Sequence, residues 1–138
     1  MPSVFFLLIA IVIIGILVFI AISVTGNKTY EFDKEEYQSD FLRIENSLTR
    51  DNELSFNHAV IEADKLLDKA LMEMSLPGKT MGERMKAASN HFSQNNSVWY
   101  AHKMRNQIAH ERNFKVDYNK AKHALVAYRQ ALKDLGAI

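Results

Sequence analysis

Between Val4 and Val24 the chain reads VFFLLIAIVIIGILVFIAISV without one charged side chain. As an α-helix, at 1.5 Å per residue, this run reaches roughly 31 Å, against a bilayer hydrocarbon core of about 30 Å. A cleaved signal peptide carries a basic leading region and an apolar stretch of only about 7–15 residues. Here the stretch is longer and only MPS precedes it. The reading is an uncleaved single-pass anchor over 1–24, a polar linker over 25–30 and a folded domain over 31–138. The nearest cations, Lys28, Lys34 and Arg43, all follow the apolar run. By the positive-inside rule this places the C-terminal domain on the cytoplasmic side of the cell membrane.

Beyond the linker the apolar residues recur at helical spacing, and no strand alternation is present. Phe41, Ile44 and Leu48 mark one amphipathic helix, and Val60, Ala63, Leu67, Ala70, Leu71 and Met74 mark a longer one. The turn at Leu76–Lys79 (LPGK) ends the second, and Thr80 with Glu83 has the spacing of a capping box. Met81, Met85, Ala88 and Phe92 then face inward from a short third helix. After a turn over Ser93–Ser97, a fourth helix carries Val98, Ala101, Met104 and Ile108, with Trp99 and Tyr100 either stacking on a base or, beside this apolar stripe, serving as core and interface aromatics. Asp117 is the expected N-cap of a last helix, with Ala121, Leu125, Tyr128, Leu132 and Leu135 buried and Gly136 at its C-cap. The fold class is all-α: an N-terminal transmembrane helix, then an up-and-down bundle of about five helices joined by short loops. The chain has no cysteine, so packing rather than disulfides or thiolate-bound metal must hold it together.

Charge is nearly balanced overall, yet acids outnumber bases from Lys28 to Glu73 and bases outnumber acids from Lys79 to Lys133. Two arrangements fit: a basic face for a polyanion such as RNA, or acidic helices laid against basic ones. Neither a Cys/His pair nor an HxxxH pattern occurs, so the sequence supports no metal site and no cofactor.

Within MRNQIAHERNF, Arg105, Asn106 and His110 form the one grouping that suggests chemistry. On an ideal helix, Arg105 and His110 point about 140° apart. They share a site only if the helix breaks between them, or if a second copy of the chain completes the site across a two-fold axis.

The RNQIAH stretch resembles the arginine, polar residue, three variable residues, histidine motif of the HEPN superfamily. The resemblance extends over roughly 54–135, through IEADKLLDKAL, GKTMGERMK, VWYAHKMRNQIAHE and KAKHALVAYRQAL in the order of HEPN-like bundles. It implies a dimeric, metal-independent endoribonuclease whose two motifs meet in one cleft, or else a non-catalytic module binding a protein or nucleotide-bearing partner. In the first case His110 exchanges a proton with the ribose 2′-hydroxyl or the leaving 5′-oxygen, and Arg105 meets the phosphate. Asn106 holds the histidine or a phosphate oxygen.

Glu62 and Asp64 are candidates to orient Arg105, and His102, one turn before Asn106, can extend the polar cluster. Each has a plainer reading: a solvated acid, a packed histidine, or cationic residues at a helix C-terminus.

Overall fold

A computed structural model describes residues 2–25 and 30–138, and the described residues divide into two compact units. The first contains one helix, α1 (Pro2–Thr25), whose side chains are exposed along Ser3–Ala21. Over Ser3–Ala21 its mean hydropathy is 3.5, long and apolar enough to cross a membrane.

The second unit contains five helices: α2 (Lys34–Ser47), α3 (Glu53–Glu73), α4 (Met81–Ala87), α5 (Asn95–His110) and α6 (Tyr118–Leu135). No strand occurs among the described residues. α3 is the centre of the bundle, packing on α2, α4, α5 and α6, while α6 also packs on α5. Its spacing explains why: Ala59, Val60, Ala63, Leu67, Ala70 and Leu71 are all fully buried. A stripe with alanines at every turn lets four neighbours approach one helix closely. Tyr37, Phe41 and Ile44 cover it from α2, and Ala124, Tyr128, Ala131 and Leu132 from α6.

The helix ends follow the cap chemistry. Asp33, Asn52 and Asp117 accept from the backbone N–H groups of Glu36, Leu54 and Lys120 at 3.0, 3.0 and 2.8 Å. Thr80 and Glu83 form the complete capping box of α4. Gly136 closes α6 in the left-handed region at φ 80°. Gly78, at φ 145°, is required by space as well as conformation. A Cβ there would stand 2.7 Å from Glu83 Cβ and 2.8 Å from the Arg84 nitrogen.

Several boundaries depart from the periodicity. Leu48 is the extended C-cap of α2 and only half-buried, so the buried stripe of that helix stops at Ile44. α4 ends at Ala87, and Phe92 is buried from the turns that follow it. Those turns are held by Ser89 N donating to Lys86 O and His91 N to Ala88 O. They keep apolar residues inward without a continuing helix. α5 starts at Asn95 rather than Val98, because Gln94 O already accepts from Ser97 and Val98. Tyr100 is 55% exposed and is not a core residue.

Since the buried residues of the second unit pack among themselves, residues 30–138 expressed alone should be soluble and largely helical by circular dichroism, with one cooperative melt. Recovery of this fragment only as aggregate would show that the bundle depends on α1.

Candidate functional site

α3 carries one carboxylate inside its apolar stripe. Asp64 follows Ala63 and sits one turn after Val60, and it is only 4% exposed. A carboxylate there must find hydrogen-bond donors, because desolvating it without partners costs several kcal/mol. The donors come from two other helices. Tyr128, on α6, donates its hydroxyl to Asp64 Oδ1 at 2.8 Å, and His102, on α5, brings Nδ1 to the same oxygen at 2.8 Å. Arg105, one turn after His102, places Nε 3.4 Å from Asp64 Oδ2. That approach is an ion contact and not a hydrogen bond, since the buried Nε–H is not aimed at the oxygen.

Asn106 closes the arrangement. Its Oδ1 accepts from Arg105 Nη1 at 3.2 Å, and its Nδ2 lies 3.3 Å from His102 Nε2. Donor and acceptor bookkeeping fixes the protons. A guanidinium only donates, so the oxygen of Asn106 must face Arg105 and its NH2 must face His102. His102 Nε2 must then be the acceptor, and Nδ1 carries the proton given to Asp64. Tyr128 keeps its own proton: burial first, then the charge of Asp64 and the hydrogen bond to it, push its pKa well above the ordinary phenol value, with Arg105 opposing. The result is a closed polar ring linking α3, α5 and α6.

One side of the ring opens into a cavity of about 540 Å³ between α3, α4 and α5. Asp64, His102, Arg105 and Asn106 line it together with Lys65, Asp68, Thr80, Met81, Gly82 and Trp99. Asp68 is held there by Arg84, whose Nε and Nη2 each donate to it at 2.8 Å. Arg105 Nη2 makes no hydrogen bond among the described residues, and the Arg105 side chain is 31% exposed.

The expected site residues therefore separate. Asp64, His102, Arg105 and Asn106 converge. Glu62 does not: it is engaged with Lys65 at 2.8 Å on the outside of α3. His110 is exposed as the last residue of α5, without a side-chain hydrogen bond among the described residues. α5 runs unbroken from Arg105 to His110, so a helix break that would bring the two together does not occur. The physical reason is that the helical hydrogen bonds continue to the end, with Glu111 N donating to Gln107 O at 2.8 Å.

Tyr128 has no place in the site when read only as a buried-stripe residue, although a tyrosine in such a stripe needs a partner for its hydroxyl. No group of three or more His, Cys, Asp or Glu side chains suited to a metal ion is found among the described residues.

The charge division is partly used internally. Arg84 pairs with Asp68, Arg129 with Glu45 and Arg105 with Asp64, each joining a later helix to an earlier one. Lys86, Lys103, Arg112, Lys115, Lys122 and Lys133 are exposed and make no ion pair among the described residues.

Compared with known proteins, the chain matches no family model, no curated protein and no solved structure at a significant level.

Removing the hub and removing one spoke should differ. In urea denaturation, Tyr128→Phe should cost about 1.5–3 kcal/mol, the worth of a hydrogen bond to a charged group. Asp64→Ala should cost about 3–5 kcal/mol, because two buried donors and a cation lose their partner at once. Equal costs would mean that Asp64 does not organise the others.

Proposed function

We propose that this chain is a membrane-tethered, HEPN-like endoribonuclease that cleaves RNA at a cleft shared by two copies, using Arg105, Asn106 and His110. The observation that carries the reading is the state of Arg105. Asn106 accepts from its Nη1 and Asp64 stands 3.4 Å from its Nε, while Nη2 makes no hydrogen bond among the described residues and the side chain lines the cavity at the start of RNQIAH. A guanidinium fixed on one edge and open on the other is prepared to meet a phosphate, since its position need not be organised when the ligand arrives.

The chemistry needs two proton transfers and a charge stabiliser. One imidazole takes the proton of a ribose 2′-hydroxyl, whose oxygen attacks phosphorus as the bond to the 5′-oxygen breaks. A second imidazole gives a proton to that leaving oxygen. The products are a 2′,3′-cyclic phosphate and a 5′-hydroxyl. His110 is the proton carrier, and a two-fold dimer supplies two of them. Arg105 stabilises the charge that builds on the phosphoryl oxygens. Asn106 keeps Arg105 in place. Exposed lysines and arginines on the later helices attract the polyanion. α1 crosses the membrane once, and Lys28, Lys34 and Arg43 keep the domain on the cytoplasmic side, where RNA is available.

A second reading, a tethered helical module that binds a protein or nucleotide-bearing partner without catalysis, is favoured by one observation. Hydrogen bonds within the ring account for His102 and Asn106, and one such bond with the ion contact to Asp64 accounts for Arg105, without a substrate.

Purified protein in EDTA should convert single-stranded RNA to fragments ending in 2′,3′-cyclic phosphate. His110→Ala should abolish cleavage while RNA binding survives, and Arg105→Ala should weaken both. Cleavage no greater than that of His110→Ala, across varied RNAs and at concentrations where the protein is dimeric, would leave the binding module as the function.

A further inference from the structure

Asn106 stands between two side chains that make opposite demands on it. Its Oδ1 accepts from Arg105 Nη1 at 3.2 Å, and its Nδ2 faces His102 Nε2 at 3.3 Å. The second contact holds only while His102 is neutral, since a protonated imidazole turns Nε2 into a donor and sets it against the NH2 group. Turning the amide over gives Nε2–H an oxygen but takes the same oxygen from Arg105 Nη1. With His102 protonated, one acceptor is therefore missing whichever way Asn106 points. Nδ1 stays on Asp64 at 2.8 Å in either state, so the imidazole is held in place while its other nitrogen changes role.

The charges that face His102 define the missing acceptor. Asp64, Lys65 and Asp68 come from α3, Arg84 from α4, Arg105 from α5, and Tyr128, which keeps its proton, from α6. Arg84 balances Asp68 through two hydrogen bonds, Arg105 stands against Asp64, and Lys65 is paired with Glu62. With His102 neutral this lining carries no net charge, and its protonation adds one positive charge. A ligand with a single negative charge and oxygens that only accept restores both the charge and the hydrogen bonds. The two unesterified oxygens of a phosphate diester meet that description, and they are spaced much like the oxygen and nitrogen of a carboxamide. Asn106 has room to withdraw: it is half-buried and borders both the cavity of about 540 Å³ at the ring and a second, of about 470 Å³, on the outer face of α5. His102 lines the same two cavities, so its Nε2 side is reached from either.

We propose that His102 and Arg105 form a proton-coupled binding site for a phosphate diester, in which the anion takes the place of the Asn106 amide and its arrival protonates His102. The site rests on the reading of Arg105 given above and adds His102 as the second group that holds the phosphate. In the resting state the Asn106 amide occupies the gap between the two side chains, and the lining stays neutral. Anion and proton favour each other's binding by the same factor. Affinity is therefore greatest where His102 is already protonated and is lost as pH rises.

Dimethyl phosphate is the probe, being a diester with one negative charge that does not itself titrate near neutrality. The full chain in detergent, with its histidine imidazoles labelled with ¹⁵N, is titrated with it at fixed ionic strength across the pH range in which imidazole ionises. At constant pH, added dimethyl phosphate should convert the His102 signals from the neutral to the protonated form, and its affinity should fall about tenfold per pH unit as free His102 loses its proton. Asn106→Asp places a carboxylate where the anion goes, so it should keep His102 protonated without ligand and abolish the response. Saturable binding with His102 neutral throughout, at an affinity that does not follow pH, would overturn the site and leave the ribonuclease reading standing. RNA cleavage in EDTA by a protein that binds no dimethyl phosphate would do the same. Neither binding nor cleavage would overturn both. Proton-coupled binding in a protein that cleaves no RNA would keep the site, overturn the ribonuclease reading and assign the site to the binding module.

Discussion

A single carboxylate in the middle of an otherwise apolar helix face organises this domain. Asp64 lies where α3 buries alanine and leucine against its neighbours, and it cannot remain there without donors. Meeting that need draws the hydroxyl of Tyr128 from α6 and the imidazole of His102 from α5 onto one oxygen. The consequence reaches beyond stability. Once His102 is fixed, its helix sets Arg105 one turn later against the other oxygen, and Asn106 is aligned between the two by donor and acceptor matching. The orientation of Arg105 thus derives from a core packing requirement.

The cavity beside the ring depends on a second local constraint. α4 is a helix of two turns, started by the Thr80–Glu83 capping box and tied to α3 by the Arg84–Asp68 pair. The tight contact of Gly78 with the first turn of α4 sets how the chain enters that helix. Together these hold Gly82 across from Trp99. A bulkier residue at Gly78 would move α4 and with it one wall of the cavity, although Gly78 lies outside the ring.

Much of the bundle was legible in the sequence because burial in helices leaves a period that can be read directly. Ala63, Leu67, Ala70 and Leu71 announce α3, and Thr80 with Glu83 announces the start of α4. Boundaries were less legible where turns mimic helix burial, as from Ala88 to Phe92, or where a helix starts on residues of low propensity, as at Asn95 and Asn96. Of the site, the RNQIAH group stood out, and Asp64 was a candidate partner for Arg105. His102 was a candidate through its spacing to Asn106, whereas its contact with Asp64 and the role of Tyr128 were hidden, because which residue of α5 or α6 faces Asp64 depends on the rotation and height of one helix against another. The juxtaposition of Gly82 and Trp99 was hidden for the same reason. His110, prominent in the motif, stands apart from the ring because α5 stays helical to its end.

The proton on His102 tests this account most directly, since Asp64 at Nδ1 and Asn106 at Nε2 both fix its position. In a domain of residues 30–138 labelled with ¹⁵N, long-range correlation of the imidazole signals distinguishes the two neutral tautomers. The account predicts that neutral His102 carries its proton on Nδ1, shielded from exchange by Asp64, and that Asn106→Ala releases the constraint on Nε2. A neutral His102 protonated on Nε2, or one whose ring protons exchange as fast as those of an exposed histidine, would contradict it.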